Sequence, residues 1–506
     1  MSDRNERPIS RRTLLKTAGA AAAGAVAVAA RPAEAVMRWD GTADVVIVGL
    51  GAAGAAAAIE ARRAGASVLV LERAEAGGGT SALAGGIIYY GGGTPLQTAL
   101  GYEDSPDNMF KYLMASSGPA ADEAKVRLFC DGSVELYDWT VKLGVPFKES
   151  FYPGISLPLT DDGLLFSGSE QAHPFDKVAT PAPRGHKPRA KGDGGGALLM
   201  EKLIAGARSE GAEIITGVIA EELIQRASGE VVGVMTYIDG VEHNYLAKKG
   251  VVLAAGGFCR NRDMMERYAP IYLGCDTPIG VAGDDGRGIR MGMGAGGDAV
   301  RMDSGFCAMP FHPPDKLIQG ILVNRHGQRF INEDRYYGDT GNVIVREQHG
   351  GAILIVDKDC DVDSKYARPK DVAKTRSIKE MEERLGLPAP ALQNTVELYN
   401  RYAAKGEDPL FHKAKKFVKP LDRPPFRALD CSTDAAYYPY FTLGGLHTSP
   451  GGEVLNAGGR PIQGLYAAGR TTSGVAALGY SSGISIADAL FFGRLAGKSA
   501  AAARKG

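Results

Sequence analysis

Four residues, Gly49, Gly51, Gly54 and Glu72, have the types and the order needed to hold a dinucleotide. Gly49 permits a tight turn, Gly51 lets backbone N–H groups approach a pyrophosphate, and Gly54 lets the following helix lie against a sheet. The diphosphate then sits at the positive end of a helix dipole. Glu72 can accept hydrogen bonds from two ribose hydroxyls. A second small-residue run, Gly77-Gly-Gly79-Thr80-Ser81 through Gly85-Gly86, can pass close beside a flat phosphorylated ligand and line its far side. Near the C-terminus, Gly479-Tyr480-Ser481-Ser482-Gly483 places a phenol and hydroxyls at a Gly-rich turn.

Apolar periodicity supplies the elements that would position these groups. Ala43 to Val48 reads as a strand, Ala55 to Gly65 as a small-residue helix and Ala66 to Glu72 as a second strand, together a βαβ unit. Residues 105 to 145 read as helices, with one from Asp122 to Gly144, and residues 150 to 196 as a long Gly-, Pro- and His-rich excursion. A helix from Ala197 to Gly211, a strand at Glu213 to Ile215 and β-rich runs at Ile219 to Gln225 and Glu230 to Ile238 follow. Gly250 to Phe258 is a further strand ending in a Gly turn, and Gly283-Asp284-Asp285-Gly286-Arg-Gly288 opens a helix. From Ser304 to Thr433 the chain gains Tyr, Pro and charge. Gly464 to Arg470 then reads as a strand and turn, and Ile484 to Arg494 as a helix whose N-terminal dipole suits an electron-rich ring. The expected organisation is a leader at 1–35, a nucleotide-binding domain at 36–303, a cap at 304–433 and a return to the first domain at 434–506.

The leader carries Ser10-Arg11-Arg12-Thr13-Leu14-Leu15-Lys16, an Ala/Gly-rich run from Thr17 to Ala30 and Ala33-Glu34-Ala35, the order of a twin-arginine export signal with its cleavage site. The run is too short and too Ala-rich for a good membrane span, so no stable transmembrane anchor is expected. Export in the folded state to the periplasm or another extracytoplasmic space is the expectation. Lys plus Arg and Asp plus Glu balance at 58 each, with no basic stripe, which argues against nucleic acid as a partner. The six cysteines are scattered with no CxxC, arguing against an iron–sulfur centre, a c-type haem or a disulfide framework, and no metal site is expected. The basic runs Arg184 to Lys191 and Lys413 to Lys419 read as solvated loops.

Several segments occur in a family order: the Gly49–Gly54 unit, Ala254 to Phe258 with Asn261 and Met264, Gly283 to Gly288, Ile321-Leu-Val-Asn324 with Arg329-Phe-Ile-Asn332-Glu333, and Gly464 to Gly469. Over residues 40 to 500 the chain resembles the flavoprotein family of fumarate reductases, succinate dehydrogenases and 3-ketosteroid dehydrogenases. The resemblance implies an α/β fold, a Rossmann-like FAD-binding domain (the glutathione-reductase-2 type) with an inserted α+β cap. It implies FAD, and because no His stands near Gly79 to Ser81, FAD bound non-covalently. The implied cofactor contacts are Gly49, Gly51, Ala52, Ala53, Gly54, Glu72, Arg73, Gly79, Thr80, Ser81, Gly86, Ala220, Ala255, Gly256, Asp285, Gly469, Arg470, Ser485 and Ile486.

Departures from the dicarboxylate enzymes set the branch. Their substrate-gripping Arg in the last Gly-rich turn is matched by Tyr480, their His before a Gly-Gly pair by Phe441-Thr-Leu-Gly444-Gly445, and their proton-donating Arg by Tyr337. A carboxylate in such a pocket lacks its bidentate partner. The Tyr-x-Ser of Tyr480 and Ser482 resembles the 3-ketosteroid Δ4-(5α)-dehydrogenases, whereas the Tyr-Pro-Gly of the Δ1 type is absent. Phe311-His312-Pro313 is similar to a His-Pro element of the dicarboxylate enzymes, and a structural His beside prolines fits equally.

The resemblance implies oxidation of a CH–CH group beside a ketone in a flat apolar substrate, a 3-keto-5α-steroid becoming a 4-ene-3-ketosteroid. That chemistry needs a base at the α-carbon, a donor at the ketone oxygen and a hydride acceptor for the β-carbon. Phenols and hydroxyls serve without placing a fixed charge in an apolar pocket. Tyr480, Ser482 and Tyr337 are the candidates, with Ser482 and Tyr480 implied as the proton relay and Tyr337 on the oxygen side; Tyr336 competes with Tyr337. Tyr102, Tyr112, Tyr437, Tyr438 and Tyr440 are candidate pocket walls. Two alternatives stand beside this reading: an exported flavin reductase of an enone or unsaturated acid, and an FAD-binding protein without turnover. The electron acceptor or donor is left open.

Overall fold

The computed structural model describes residues 31–32, 37–154, 160–312 and 314–503. The expected leader lies outside the described residues except for Arg31–Pro32, which pair with Ile224 and Gln225.

The first unit is β1 (Gly41–Val48), α1 (Ala52–Arg63) and β2 (Val68–Leu71). β1 and β2 run parallel from Val45 opposite Val68 to Val48 opposite Leu71, and their apolar side chains are buried on both faces. α1 is buried from Ala52 to Ala61. Its alanines and Gly54 let it approach closely, since a Cβ on Gly54 would stand 1.9 Å from the Gly49 carbonyl oxygen. α2 (Gly195–Ser209) leads to β3 (Glu213–Ile215), parallel to β2. β4 (Ile219–Gln225), β5 (Val231–Ile238) and β6 (Val241–Leu253) form an antiparallel run on the other side. β6 is double-purposed. Its first half pairs with β5, and its second half, Val251–Leu253, leaves that partner and runs parallel to a strand from the far end of the chain.

The segment expected as a cap holds β7 (Ile321–Val323), α3 (Tyr337–Glu347), β8 (Ile353–Val356), β9 (Lys370–Thr375) and β10 (Phe426–Asp430). Its sheet is antiparallel in the order β7-β8-β10-β9. Beneath it Arg329 pairs with Glu333 at 2.8 Å and with Asp408 at 2.9 Å, and Lys413 reaches Glu333 at 2.8 Å, all buried. The chain returns through β11 (Pro461–Ala467), the strand beside β6, and ends in α4 (Ile484–Ala502). A three-stranded sheet of Thr277–Pro278, Pro439–Thr442 and Gly305–Cys307 straddles both expected cap junctions, with the last-arriving strand in the middle.

Several local expectations are corrected. The helix read from Asp122 to Gly144 is two, Glu123–Asp131 and Ser133–Lys142, broken at Gly132, where a Cβ would stand 2.5 Å from the Phe491 ring. The excursion at 150–196 contributes short strands to a four-stranded sheet with Ile88–Tyr89. Arg184 and Lys187 are buried rather than solvated, Arg184 making a bidentate pair with Asp104 at 2.8 Å. Lys413 is likewise interior. All six cysteines are buried and free. Among the described residues no helix is long and apolar enough to cross a membrane, and no cluster of metal-ligating side chains occurs.

Candidate active site

A cavity of about 510 Å³ runs from the β1–α1 turn to the junction with the cap. Every expected cofactor contact lines it except Gly54, which packs beneath the turn. At one end the Glu72 carboxylate accepts from Leu50 N at 2.7 Å and Ala74 N at 2.8 Å, which fixes it at the end of β2 with lone pairs to spare for ribose hydroxyls. The Ala52 N–H, at the N-terminus of α1, points to Ser81 Oγ at 3.4 Å. A Cβ on Gly51 would find nothing nearer than Ser81 Oγ at 3.8 Å, so the backbone there is open to a diphosphate. Arg73 pairs with Asp285 at 2.8 Å at the rim. Arg470 pairs with buried Asp284 at 2.6 Å, and its Nη1, like Ser485 Oγ, is buried without a partner. These unsatisfied donors at the end of the groove, together with the open glycine backbone and the placed carboxylate, fit FAD. No histidine is among the described residues that line the cavity.

At the other end stand Tyr337, Tyr480 and Ser482, with Phe306, Pro439 and Phe441 around them. α3 begins at Tyr337 and α4 two residues after Ser482, so two helix N-termini far apart in sequence bring these hydroxyls together. Ser482 Oγ lies 2.7 Å from Tyr336 OH and 3.0 Å from Tyr337 OH. Tyr480 OH instead accepts from Ser485 N at 3.3 Å, in the first turn of α4. Ser482 thus stands in a Tyr336–Ser482–Tyr337 cluster, with the Tyr480 hydroxyl at the N-terminus of α4. Burial pushes the Tyr337 phenol up to about 12, against the lowering effect of Ser482 and Tyr336. Burial, then the neighbouring Tyr337, raises Tyr336 well above the usual phenol range. Burial also raises Tyr480, with Ser485 pulling the other way. All three are neutral donors at pH 7.

Of the other candidate walls, Tyr437 lines the cavity, joined by Tyr366, for which the sequence carries no local signal. Tyr438 is fully buried and bonded to the Cys431 carbonyl, Tyr440 stacks on Tyr272, Tyr102 packs on Phe151, and Tyr112 bonds Ser481. His312 is buried, held neutral by that burial with its pKa down to about 4, and packs near the Tyr337 ring without lining the cavity.

The FAD binding domain family matches residues 44–486. A solved 3-ketosteroid-Δ4-(5α)-dehydrogenase from Rhodococcus jostii RHA1, in complex with 4-androstene-3,17-dione, superposes with a TM-score of 0.88 at 46% identity, covering 94% of this chain and 99% of that one. A 3-oxo-5-alpha-steroid 4-dehydrogenase of Comamonas testosteroni is 30% identical over 506 residues, 86% of this chain and 93% of the relative. A fumarate reductase (cytochrome) of Shewanella frigidimarina is 28% identical over 481 residues, 91% of this chain and 77% of the relative. With a nucleotide groove that fits FAD and a family match across most of its length, the chain belongs to the FAD binding domain family and is an FAD-dependent oxidoreductase.

Proposed function

We propose that the protein is a 3-ketosteroid Δ4-(5α)-dehydrogenase, converting a 3-keto-5α-steroid to its 4-ene-3-ketone. The observation that carries the reading is the hydroxyl cluster of Ser482, Tyr336 and Tyr337, with Tyr480 beside it, in an apolar pocket continuous with the nucleotide groove. The charge of Arg470 is offset by buried Asp284, and the hydroxyls are walled by Phe306, Pro439 and Phe441, so a flat neutral ketone suits the pocket better than a dicarboxylate. The similarity to two steroid dehydrogenases supports the same substrate class.

Bound FAD supplies the acceptor for the hydride that leaves the β-carbon. Tyr480 OH, which accepts from the Ser485 amide, keeps its own proton to donate to the ketone oxygen as enolate charge develops. Ser482 Oγ takes the α-proton and, through the phenols on either side, passes a proton away from the pocket. The double bond forms between the carbons that lose proton and hydride. Phe306, Pro439 and Phe441 exclude water from the face where this occurs. Export by the twin-arginine route is part of the proposal, supported by the order of the Arg pair, the Ala-rich run and Ala33-Glu34-Ala35. Fusing residues 1–36 to a reporter tests it: export that survives loss of the twin-arginine translocase would overturn it.

The activity test is anaerobic mixing of FAD-loaded protein with 3-keto-5α-steroids, read as bleaching of the oxidised flavin's visible absorbance. Bleaching by the saturated ketone and its loss in Tyr480→Phe are expected. If the dithionite-reduced protein is instead reoxidised by fumarate or urocanate, and saturated ketosteroids leave the oxidised form unchanged, the assignment passes to a reductase of unsaturated acids.

A further inference from the structure

Ser482 and the tyrosines at the start of α3 are far apart in sequence, so something must set the distance between them. Residues 167–170 touch both sides. Ser167 O accepts from Ser482 N at 2.8 Å. Ser169 Oγ accepts from Tyr336 N at 3.0 Å and donates to Asp339 Oδ2 at 2.5 Å, in the first turn of α3. Ser169 N donates to Tyr112 OH at 2.9 Å, and that phenol in turn lies 3.0 Å from Ser481 Oγ. Gly168 fits between them because a Cβ there would stand 2.2 Å from Ser481 Oγ and 2.4 Å from Tyr112 OH.

We propose that the Ser167–Glu170 segment is a clamp that fixes the Tyr336–Ser482–Tyr337 cluster, with Ser169 and Tyr112 as positioning residues for the proton relay; this rests on the dehydrogenase reading above. Neither residue lines the cavity, so each acts through the residues it holds. Ser169 must be a hydroxyl because it accepts and donates at once: it satisfies the Tyr336 amide at the start of α3, where no carbonyl of the preceding turn is available, and donates a hydrogen bond to Asp339. Asp339 is buried, and burial raises its pKa, with Arg335 and then Ser169 opposing. The carboxyl thus completes a satisfied buried network instead of a free charge. Removing Ser169 Oγ leaves the Tyr336 amide and the Asp339 carboxyl each short of a partner at the point where these segments meet. A shift of the phenols by a fraction of an ångström then lengthens both bonds to Ser482 Oγ.

The test compares wild type, Ser169→Ala, Ser169→Thr and Tyr112→Phe as full-length, FAD-loaded proteins. Ser169→Ala is expected to slow the reductive half-reaction with a 3-keto-5α-steroid about tenfold to a hundredfold, because misplaced reacting groups act on the chemical step, while KM stays within about twofold. Ser169→Thr, which keeps the hydroxyl, recovers most of the rate. Tyr112→Phe, which keeps the ring, slows the reaction in the same direction, and it decides the matter if Ser169→Ala does not fold. Independently of turnover, hydrogen exchange over residues 333–341 is expected to speed up in Ser169→Ala and to remain slow in Ser169→Thr. The clamp is overturned by unchanged exchange in Ser169→Ala, by a wild-type rate in both Ser169→Ala and Tyr112→Phe, or by a loss that falls on KM alone. Should wild type itself fail to be bleached by ketosteroids, the dehydrogenase reading falls, and the exchange measurement still judges the clamp by itself.

Discussion

Three hydroxyls divide the work differently from what their spacing suggests. Tyr480 sits two residues before Ser482, yet its hydroxyl turns to the Ser485 amide, and Ser482 is served by Tyr336 and Tyr337. Ser482→Ala is expected to lower the rate of flavin bleaching by about a hundredfold or more, in the range of lost general acid–base catalysis, with FAD content unchanged. Tyr336→Phe and Tyr337→Phe should each cost less than Ser482→Ala, since each leaves the serine one phenol; equal loss in all three would indicate a linear relay with no redundancy. With the Tyr337 phenol pushed up to about 12, its proton-accepting ionised fraction grows tenfold with each pH unit below that value, while burial holds Tyr480 in its proton-donating form, so bleaching should accelerate from about pH 7 to pH 10. A flat profile would remove the phenols from the proton path. Gly49, Gly51 and Glu72 were legible because their chemistry is local, a turn and a strand end a few residues apart. The choice between Tyr336 and Tyr337 was not legible, since adjacent phenols are distinguished only by contacts 146 and 145 residues away, and here both reach the same serine.

The helices that carry the site depend on residues too small to announce themselves. α4 lies on α1 so closely that a Cβ on Gly493 would stand 2.5 Å from the Ala53 carbonyl and one on Gly497 2.3 Å from the Ala57 carbonyl. Gly497→Leu is therefore expected to lower stability by about 1–3 kcal/mol or more, as overpacking does, and to weaken FAD retention as the two helix N-termini move apart. Gly54→Ala acts on the Gly49 turn from below and should abolish FAD retention with smaller losses elsewhere; flavin fluorescence released on gel filtration reads both. The βαβ unit and the inner half of β6, from Gly250, were plain from apolar runs, whereas its outer half, rich in charge and amide, was not. The break at Gly132 and the burial of Arg184, Lys187 and Lys413 were hidden, because periodicity reports which side of an element is apolar and says nothing of a distant Phe491, Asp104 or Glu333 that will meet it. The clamp at residues 167–170 belongs to the same class: its meaning lies in four partners spread between Tyr112 and Ser482.

At the scale of the molecule, two interior histidines give an acid limit. His186 and His312 are buried and kept neutral, each with its pKa lowered from 6.5 to about 4 by burial. Between about pH 6.5 and pH 4 the unfolded chain binds the extra protons, so the stability present above that window is lost as pH falls through it, by about 3 kcal/mol for each fully buried ring. The melting temperature should drop across this range, and His312→Leu should flatten the drop; an unchanged slope would show that His312 titrates freely in the folded state. FAD opposes the loss, because a ligand bound to the native state alone shifts unfolding by mass action. The pairing of β6 also carries a consequence for how the protein is made. One edge of its inner half is held by β1 and the other waits for β11, and the pocket waits for Arg470, Tyr480, Ser482 and Ser485, all of which leave the ribosome late. Long-range pairing of this kind cannot form before both partners exist. A nascent chain stalled before Ala468 has every glycine of its first turn and still lacks the side of the groove that Arg470, Tyr480, Ser482 and Ser485 form, so yellow colour in this protein marks a chain whose synthesis has passed β11 and reached α4.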